Sequence, residues 1–163
     1  MVRHVFYSFE YKPDNWRASQ VRNIGIVDGN KPAHDNDWET ICRGGDPAIE
    51  RWIKGQMKGR SCTLVLIGGT TAGRKWINYE ITESWKAGMG VAGIRIHRLL
   101  DRNQRPTTKG PNPFSGFNID SKPFDQIVRS YDPPGYVSKD VYAWIADNIS
   151  AIVEEAIQIR ERY

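Results

Sequence analysis

The sequence predicts a doubly wound α/β domain with a parallel sheet of about five strands and helices on both faces. Three observations carry this expectation. Residues 63–67 are apolar without alternation, as a central parallel strand covered on both faces must be. Strand-like runs at 4–9, 23–27, 91–97 and 125–131 alternate with stretches of helical periodicity. The 163 residues show no internal repeat and suit one domain with a sizeable core, so a single domain over 1–163 is expected.

In chain order, His4-Val5-Phe6-Tyr7-Ser8-Phe9 is β-branched and aromatic, a good first strand. A short helix is expected over 16–22, after the loop residues Pro13, Asp14 and Asn15. Residues 23–27 read as a second strand, ended by the turn dipeptide Asp28-Gly29, with loop over 29–37. A helix follows, with Asp46 as N-cap, Pro47 in the first position and Gly59 just past the end. Its apolar face is Ile49, Trp52, Ile53 and Met57.

After the strand at 63–67, a hinge of glycines and threonines over 68–73 leads into a helix at 75–87, with Ile77, Ile81 and Trp85 on its core stripe. Residues 91–97 form a fourth strand, with Gly93 permitting close approach. The stretch 102–122 is rich in Pro, Gly, Asn and Thr and long for a connection. A fifth strand is expected over 125–131, broken by Pro133-Pro134-Gly135. The last helix starts near Ser138 or Asp140 and buries Val141, Ile145, Ile149, Ile152, Val153 and Ala156. Trp16, Trp38, Trp52, Trp85 and Trp144 read as packing residues.

Composition narrows the class. No apolar run approaches the roughly 18 residues of a membrane span. The N-terminus enters a strand pattern at once, which leaves no room for a signal peptide. A cytoplasmic protein with Cys42 and Cys62 reduced is the expectation. The net charge is +4, yet the basic residues are scattered among acidic ones, so no nucleic-acid partner is expected.

The chemistry is expected at residues 74–81, where a buried strand, a flexible turn and a helix start follow one another. Open α/β sheets bind ligands at the carboxyl ends of their strands. Trp76 and Glu80 are four apart and share one helix face, which makes Glu80 the candidate catalytic residue. Rival chemistries lack their residues. The first strand is not followed by a Ser/Thr-rich phosphate loop, and no GxGxxG or P-loop lysine is present. His4, His34 and His97 are scattered, so no metal site is indicated.

Val5-Phe6-Tyr7-Ser8-Phe9 resembles the first-strand signature of TIR domains, and Trp76-Ile77-Asn78-Tyr79-Glu80-Ile81 resembles the Trp-x-x-x-Glu-hydrophobic motif of NAD-cleaving TIR domains. Almost the whole chain is similar to the TIR-like family of Thoeris antiviral defence proteins. That similarity runs through Arg51-Trp52-Ile53, Val65-Leu66-Ile67-Gly68, Arg74-Lys75-Trp76, Gly93-Ile94-Arg95-Ile96-His97 and Gly110-Pro111-Asn112-Pro113-Phe114. The resemblance implies a flavodoxin-like TIR fold and a role in bacterial or archaeal defence. It implies NAD⁺ as substrate rather than cofactor, nicotinamide as leaving group, and a cyclic ADP-ribose-type product read by a separate effector protein. It also leaves room for self-assembly.

Under this resemblance Glu80 is the catalytic carboxylate, expected to be ionised with help from the positive end of its helix. Trp76 and Phe9 are candidate aromatic walls, and Ser8, Asn15 and Arg17 candidate contacts for ribose or diphosphate. Ser8 reads equally well as a strand-end hydroxyl bonded to backbone, and Arg17 as a solvated helix charge. Arg74 stands where many plant-type relatives carry a small hydroxyl residue, which leaves a phosphate contact and a solvent-facing role both open. A non-catalytic TIR-like assembly module is the alternative to an enzyme.

Overall fold

In the computed structural model, which describes residues 2–30 and 35–163, thirteen elements succeed one another. They are β1 (His4–Ser8), α1 (Tyr11–Arg22), β2 (Asp28–Gly29), α2 (Asp35–Arg43), α3 (Asp46–Met57), β3 (Cys62–Ile67) and α4 (Lys75–Lys86). Then come β4 (Gly90–Arg95), β5 (Asn118–Ile119), β6 (Lys122–Pro123), α5 (Phe124–Ile127), β7 (Arg129–Tyr131) and α6 (Ser138–Glu161). Five strands form one sheet in the order β2-β1-β3-β4-β7, and every neighbouring pair is parallel. That is the flavodoxin-like order, as expected. The short β5–β6 hairpin stands apart.

Alternation along β3 divides the core. Leu64 and Leu66 face a cluster completed by α1 and α6, through Ala18, Val21, Ile145 and Ile149. Val65 and Ile67 face α4 and the chain after β4, through Ile77, Ile81, Phe114 and Phe124. Phe6 meets Ile49, Ile53 and Met57 of α3 in a third cluster. Every residue of β3 is buried, which is why its sequence carries no alternation.

Four elements differ from the sequence expectation. First, α1 begins at Tyr11 rather than 16; Pro13 lies in its first turn, where no intrahelical donor is missed. Second, residues 23–27 do not pair. The ladder forms at the supposed turn, where His4 and Val5 oppose Asp28 and Gly29. Gly29 is needed there because a Cβ would lie 2.2 Å from Cε2 of Tyr7. Third, residues 35–37 of the expected loop belong to α2; residues 31–34, with His34, lie outside the described residues. Fourth, 125–131 is split: α5 buries Phe124 and Ile127 on one helical turn, and only Arg129–Tyr131 pairs with β4.

β3, α3, α4 and α6 lie within one residue of their expected bounds or cores. β4 ends at Arg95, two residues early. Trp85 and Trp144 pack as expected, whereas Trp16 is half exposed. The long stretch after β4 is tied down by buried Phe114, which lies across Gly93 where a Cβ would come within 2.9 Å of its Cε2. Cys42 and Cys62 are both free thiols. Among the described residues, no helix is long and apolar enough to cross a membrane.

Backbone contact sets one clear stability difference. A Cβ on Gly90 would sit 2.7 Å from the backbone C of Ala156 and N of Ile157, so Gly90→Ala is expected to destabilise by about 1–3 kcal/mol. Gly55, inside α3, faces open space, and Gly55→Ala is expected to stabilise by about 0.5–1 kcal/mol. Urea-unfolding midpoints of the two variants should move in opposite directions.

Candidate active site

The strand order reverses between β1 and β3, the switch point at which such sheets bind ligands. A cavity of about 450 Å³ opens there. Phe6, Tyr7 and Phe9 enter it from β1 and its end, and Glu10, Tyr11 and Lys12 from the start of α1. Arg22 comes from the end of α1, Asn30 from the segment after β2, and Trp38 and Trp52 from α2 and α3. Arg74 through Ile77, with Glu80, supply the α4 wall.

The turn between β3 and α4 is shaped by close packing. Asp14 seats its carboxylate on Gly68, where an added Cβ would lie 2.0 Å from Oδ2. The Gly68 N–H donates to Thr71 Oγ1 at 2.8 Å, and Gly73 turns the chain with a φ of +81°. Arg74 then caps α4, which puts Glu80 in its second turn.

Glu80 is only 9% exposed, and its Oε2 is buried without a hydrogen-bond partner. The Ser8 Oγ is buried and unpartnered as well. Burial pushes the Glu80 carboxyl up to about 8. This corrects the expectation of an ionised carboxylate. Desolvation outweighs the helix end and favours the protonated form of the carboxyl.

The structure brings Phe9, Arg74, Trp76 and Glu80 to one cavity. Trp76 is at once a cavity wall and a packing residue: its ring meets Tyr79 edge-on at 5.5 Å and rests on the Phe6 cluster. Arg74 Nε donates to Glu10 Oε2 at 3.0 Å, and the Thr70 hydroxyl donates to the same carboxylate. The loops after β1 and β3 are thereby clasped at the mouth. Ser8 does not line the cavity and stands behind Glu80. Asn15, half-buried, is not in the lining either.

Arg17 is neither a ligand contact nor a solvated charge. It is buried, and its guanidinium is spent on the fold. Nε donates to the Leu99 carbonyl at 2.8 Å and Nη2 to that of Arg105 at 2.8 Å. Nη1 donates to the Pro13 carbonyl and to Asp14 Oδ1. Burial raises the Asp14 carboxyl, and Arg17 offsets part of that shift.

Several lining residues escaped the sequence reading. Trp38 and Trp52, expected to be packing residues, meet edge-on at 5.6 Å and also wall the cavity. Arg22 shares a face of α1 with Tyr11, which also lines the cavity, but Asn15 and Ala18 between them do not, so the stripe gave no clear signal. Asn30 had none, because its role depends on accepting the Tyr7 N–H at 2.7 Å. No cluster of three or more His, Cys, Asp or Glu suited to a metal occurs among the described residues.

Residues 6–101 match the family described as Thoeris protein ThsB, TIR-like domain, a span of more than half the chain. The chain belongs to the Thoeris ThsB TIR-like family. All the cavity-lining residues fall inside the matched span, while β7 and α6 lie beyond it. Within the family, one relative is the Bacillus cereus (strain MSX-D12) protein described as "Putative cyclic ADP-D-ribose synthase ThsB1". It is 36% identical over 119 residues, covering 70% of this chain and 62% of the relative, so the chain spans about three fifths of that relative's length.

Two outcomes follow from these contacts. A carboxyl raised on folding binds its proton more tightly in the native state, so stability falls as pH climbs from the ordinary glutamate range to about 8. Glu80→Gln has no proton to lose. Its stability relative to wild type is expected to rise across that window by a few kcal/mol and to level off above it; urea titrations at pH 5, 6.5 and 8.5 measure this. Arg17→Ala strands buried Asp14 and is expected to cost about 3–5 kcal/mol, seen as a lowered urea midpoint.

Proposed function

We propose that this chain is an antiphage-defence enzyme of bacteria or archaea that cleaves NAD⁺. It releases nicotinamide and closes the remainder into a cyclic ADP-ribose-type signal, which a separate effector protein binds. The observation that carries this reading is a buried carboxyl, Glu80, whose Oε2 has no partner, lining an aromatic-walled cavity at the sheet's switch point. Membership of the Thoeris family and the cyclic ADP-D-ribose synthase name of the relative support it.

The geometry suits the charge changes of the reaction. The nicotinamide ring of NAD⁺ is cationic, and Trp76, Trp38 and Trp52 offer it apolar, electron-rich faces. A cation arriving beside Glu80 favours the charged carboxylate, so the carboxyl proton leaves to solvent. When the bond from the ribose C1′ to the ring nitrogen breaks, its electron pair goes to the ring. Nicotinamide therefore departs neutral and needs no proton donor, while positive charge develops on the ribose.

The Glu80 carboxylate stabilises that charge, an effect worth roughly 3–4 kcal/mol by analogy with preorganised oxyanion-hole donors. An atom of the adenosine half then attacks C1′ and gives up a proton, which closes the ring. Water attacking instead would give open ADP-ribose. Aromatic walls that exclude water favour closure.

Incubation with NAD⁺, with and without the trigger of infection, followed by chromatography of the products, tests the reading. Nicotinamide and a cyclic product are expected from wild type, and Glu80→Gln is expected to lose about 10²- to 10³-fold in rate. Nicotinamide release at an undiminished rate from Glu80→Gln would overturn the assignment.

A further inference from the structure

The α1 side of the cavity carries a charge that the glutamate chemistry does not use. Arg22 lies in the last turn of α1, and its Nε and Nη2 are buried with no hydrogen-bond partner. The guanidinium lies 6.0 Å from the ring centroid of Tyr7 and 5.6 Å from that of Phe9. Buried donors in native proteins are nearly always met, so two unmet ones on a cation mark a place where something else binds. Arg17, on the same helix, shows the contrast, since each of its donor nitrogens reaches a carbonyl or carboxylate.

Of the three other cations at the cavity, Lys12 is exposed to solvent and two are engaged. Arg74 pairs with Glu10 and Lys75 with Asp46. Among the described residues, no carboxylate pairs with Arg22. Asn30, which also lines the cavity, accepts the Tyr7 N–H at its Oδ1. Alternation along β1 separates the two charged groups. Tyr7 packs on the α1 face with Arg22 above it, while Phe6 packs on the α3 face and Ser8 stands beside Glu80. A ligand that reaches both must cross the end of β1.

We propose that Arg22 is the anion anchor of this cavity and holds the diphosphate of a dinucleotide whose ribose faces Glu80. The inference rests on the NAD⁺ reading for its ligand and on Arg22 for its geometry. A planar guanidinium matches phosphate oxygens with two parallel N–H bonds. The rings of Tyr7 and Phe9 hold that plane and keep water from it. The aromatic lining supplies stacking surface for the bases at either end.

Binding of ADP and of adenosine, followed by the fluorescence of the lining tryptophans, isolates the phosphate contribution. Wild type is expected to bind ADP more tightly than adenosine. Arg22→Met is expected to weaken ADP by about 10- to 100-fold and to leave adenosine unchanged. Its melting temperature is expected to hold or rise, because an unpaired buried cation gives way to an apolar side chain of similar length. Arg22→Lys, which keeps the charge and loses the fork, falls between. With NAD⁺, Arg22→Met raises KM more than it lowers kcat.

Wild type that binds ADP no better than adenosine, or ADP affinity unchanged in Arg22→Met, overturns the proposal. Loss of structure in Arg22→Met does so too, since it makes Arg22 a packing residue. The ADP comparison involves no cleavage. A protein that distinguishes ADP through Arg22 and never releases nicotinamide keeps the anchor and loses only the NAD⁺-cleavage reading. A protein that cleaves NAD⁺ with the same KM in Arg22→Met keeps that reading and loses the anchor.

Discussion

The buried pair of Asp14 and Arg17, seated on Gly68, is the constraint from which the cavity takes its shape. Asp14 belongs to the first turn of α1 and presses its carboxylate onto the start of the β3–α4 turn. Arg17 extends the same contact to the Leu99 and Arg105 carbonyls beyond β4. Three loops at the carboxyl edge of the sheet are thus tied to one ion pair. Such a pair is expensive to desolvate and expensive to break, so it adds little net stability while fixing one arrangement. Glu80 stands where it does because the turn leading to it is held from below.

Polar groups around that pair differ in how far they are satisfied. Thr63 and Ser84 bond each other at 2.6 Å between β3 and α4, and the Tyr7 N–H finds Asn30 where β2 is too short to pair with it. Asp14 Oδ2, Tyr79 Oη and His97 Nδ1, away from the cavity lining, are buried without a partner. So are Glu80 Oε2 and two nitrogens of Arg22, and these line the cavity, where a ligand can reach them.

The cavity also depends on elements that share little with its chemistry. The α2–α3 pair brings Trp38 and Trp52 to the wall opposite β1, and the same Trp52 helps cover Ile49 and Ile53. On the far side of the sheet, α6 buries Ile145, Ile149 and Val153 against β3 and β4. That long helix lies outside the family-matched span, yet it covers the face on which α1 rests. The site and its scaffold therefore occupy different parts of the chain.

Local patterns were enough to determine β3, α3, α4 and α6, because an apolar run or a helical stripe reports directly which residues share a face. They also determined that Trp76 and Glu80 stand together at a helix start beyond a buried strand. The tertiary structure decided the rest. It moved β2 onto Asp28 and Gly29, where the register with β1 and the approach of Tyr7 leave no other choice. It drew Phe124 and Ile127 into a helical turn, turned Arg17 inward, and exposed Arg22 to the cavity. It also buried Glu80 and so raised its carboxyl well above the ordinary glutamate range. Spacing along a chain says which residues lie side by side. Desolvation and hydrogen-bond satisfaction depend on what lies opposite, and that is known only once the chain has folded.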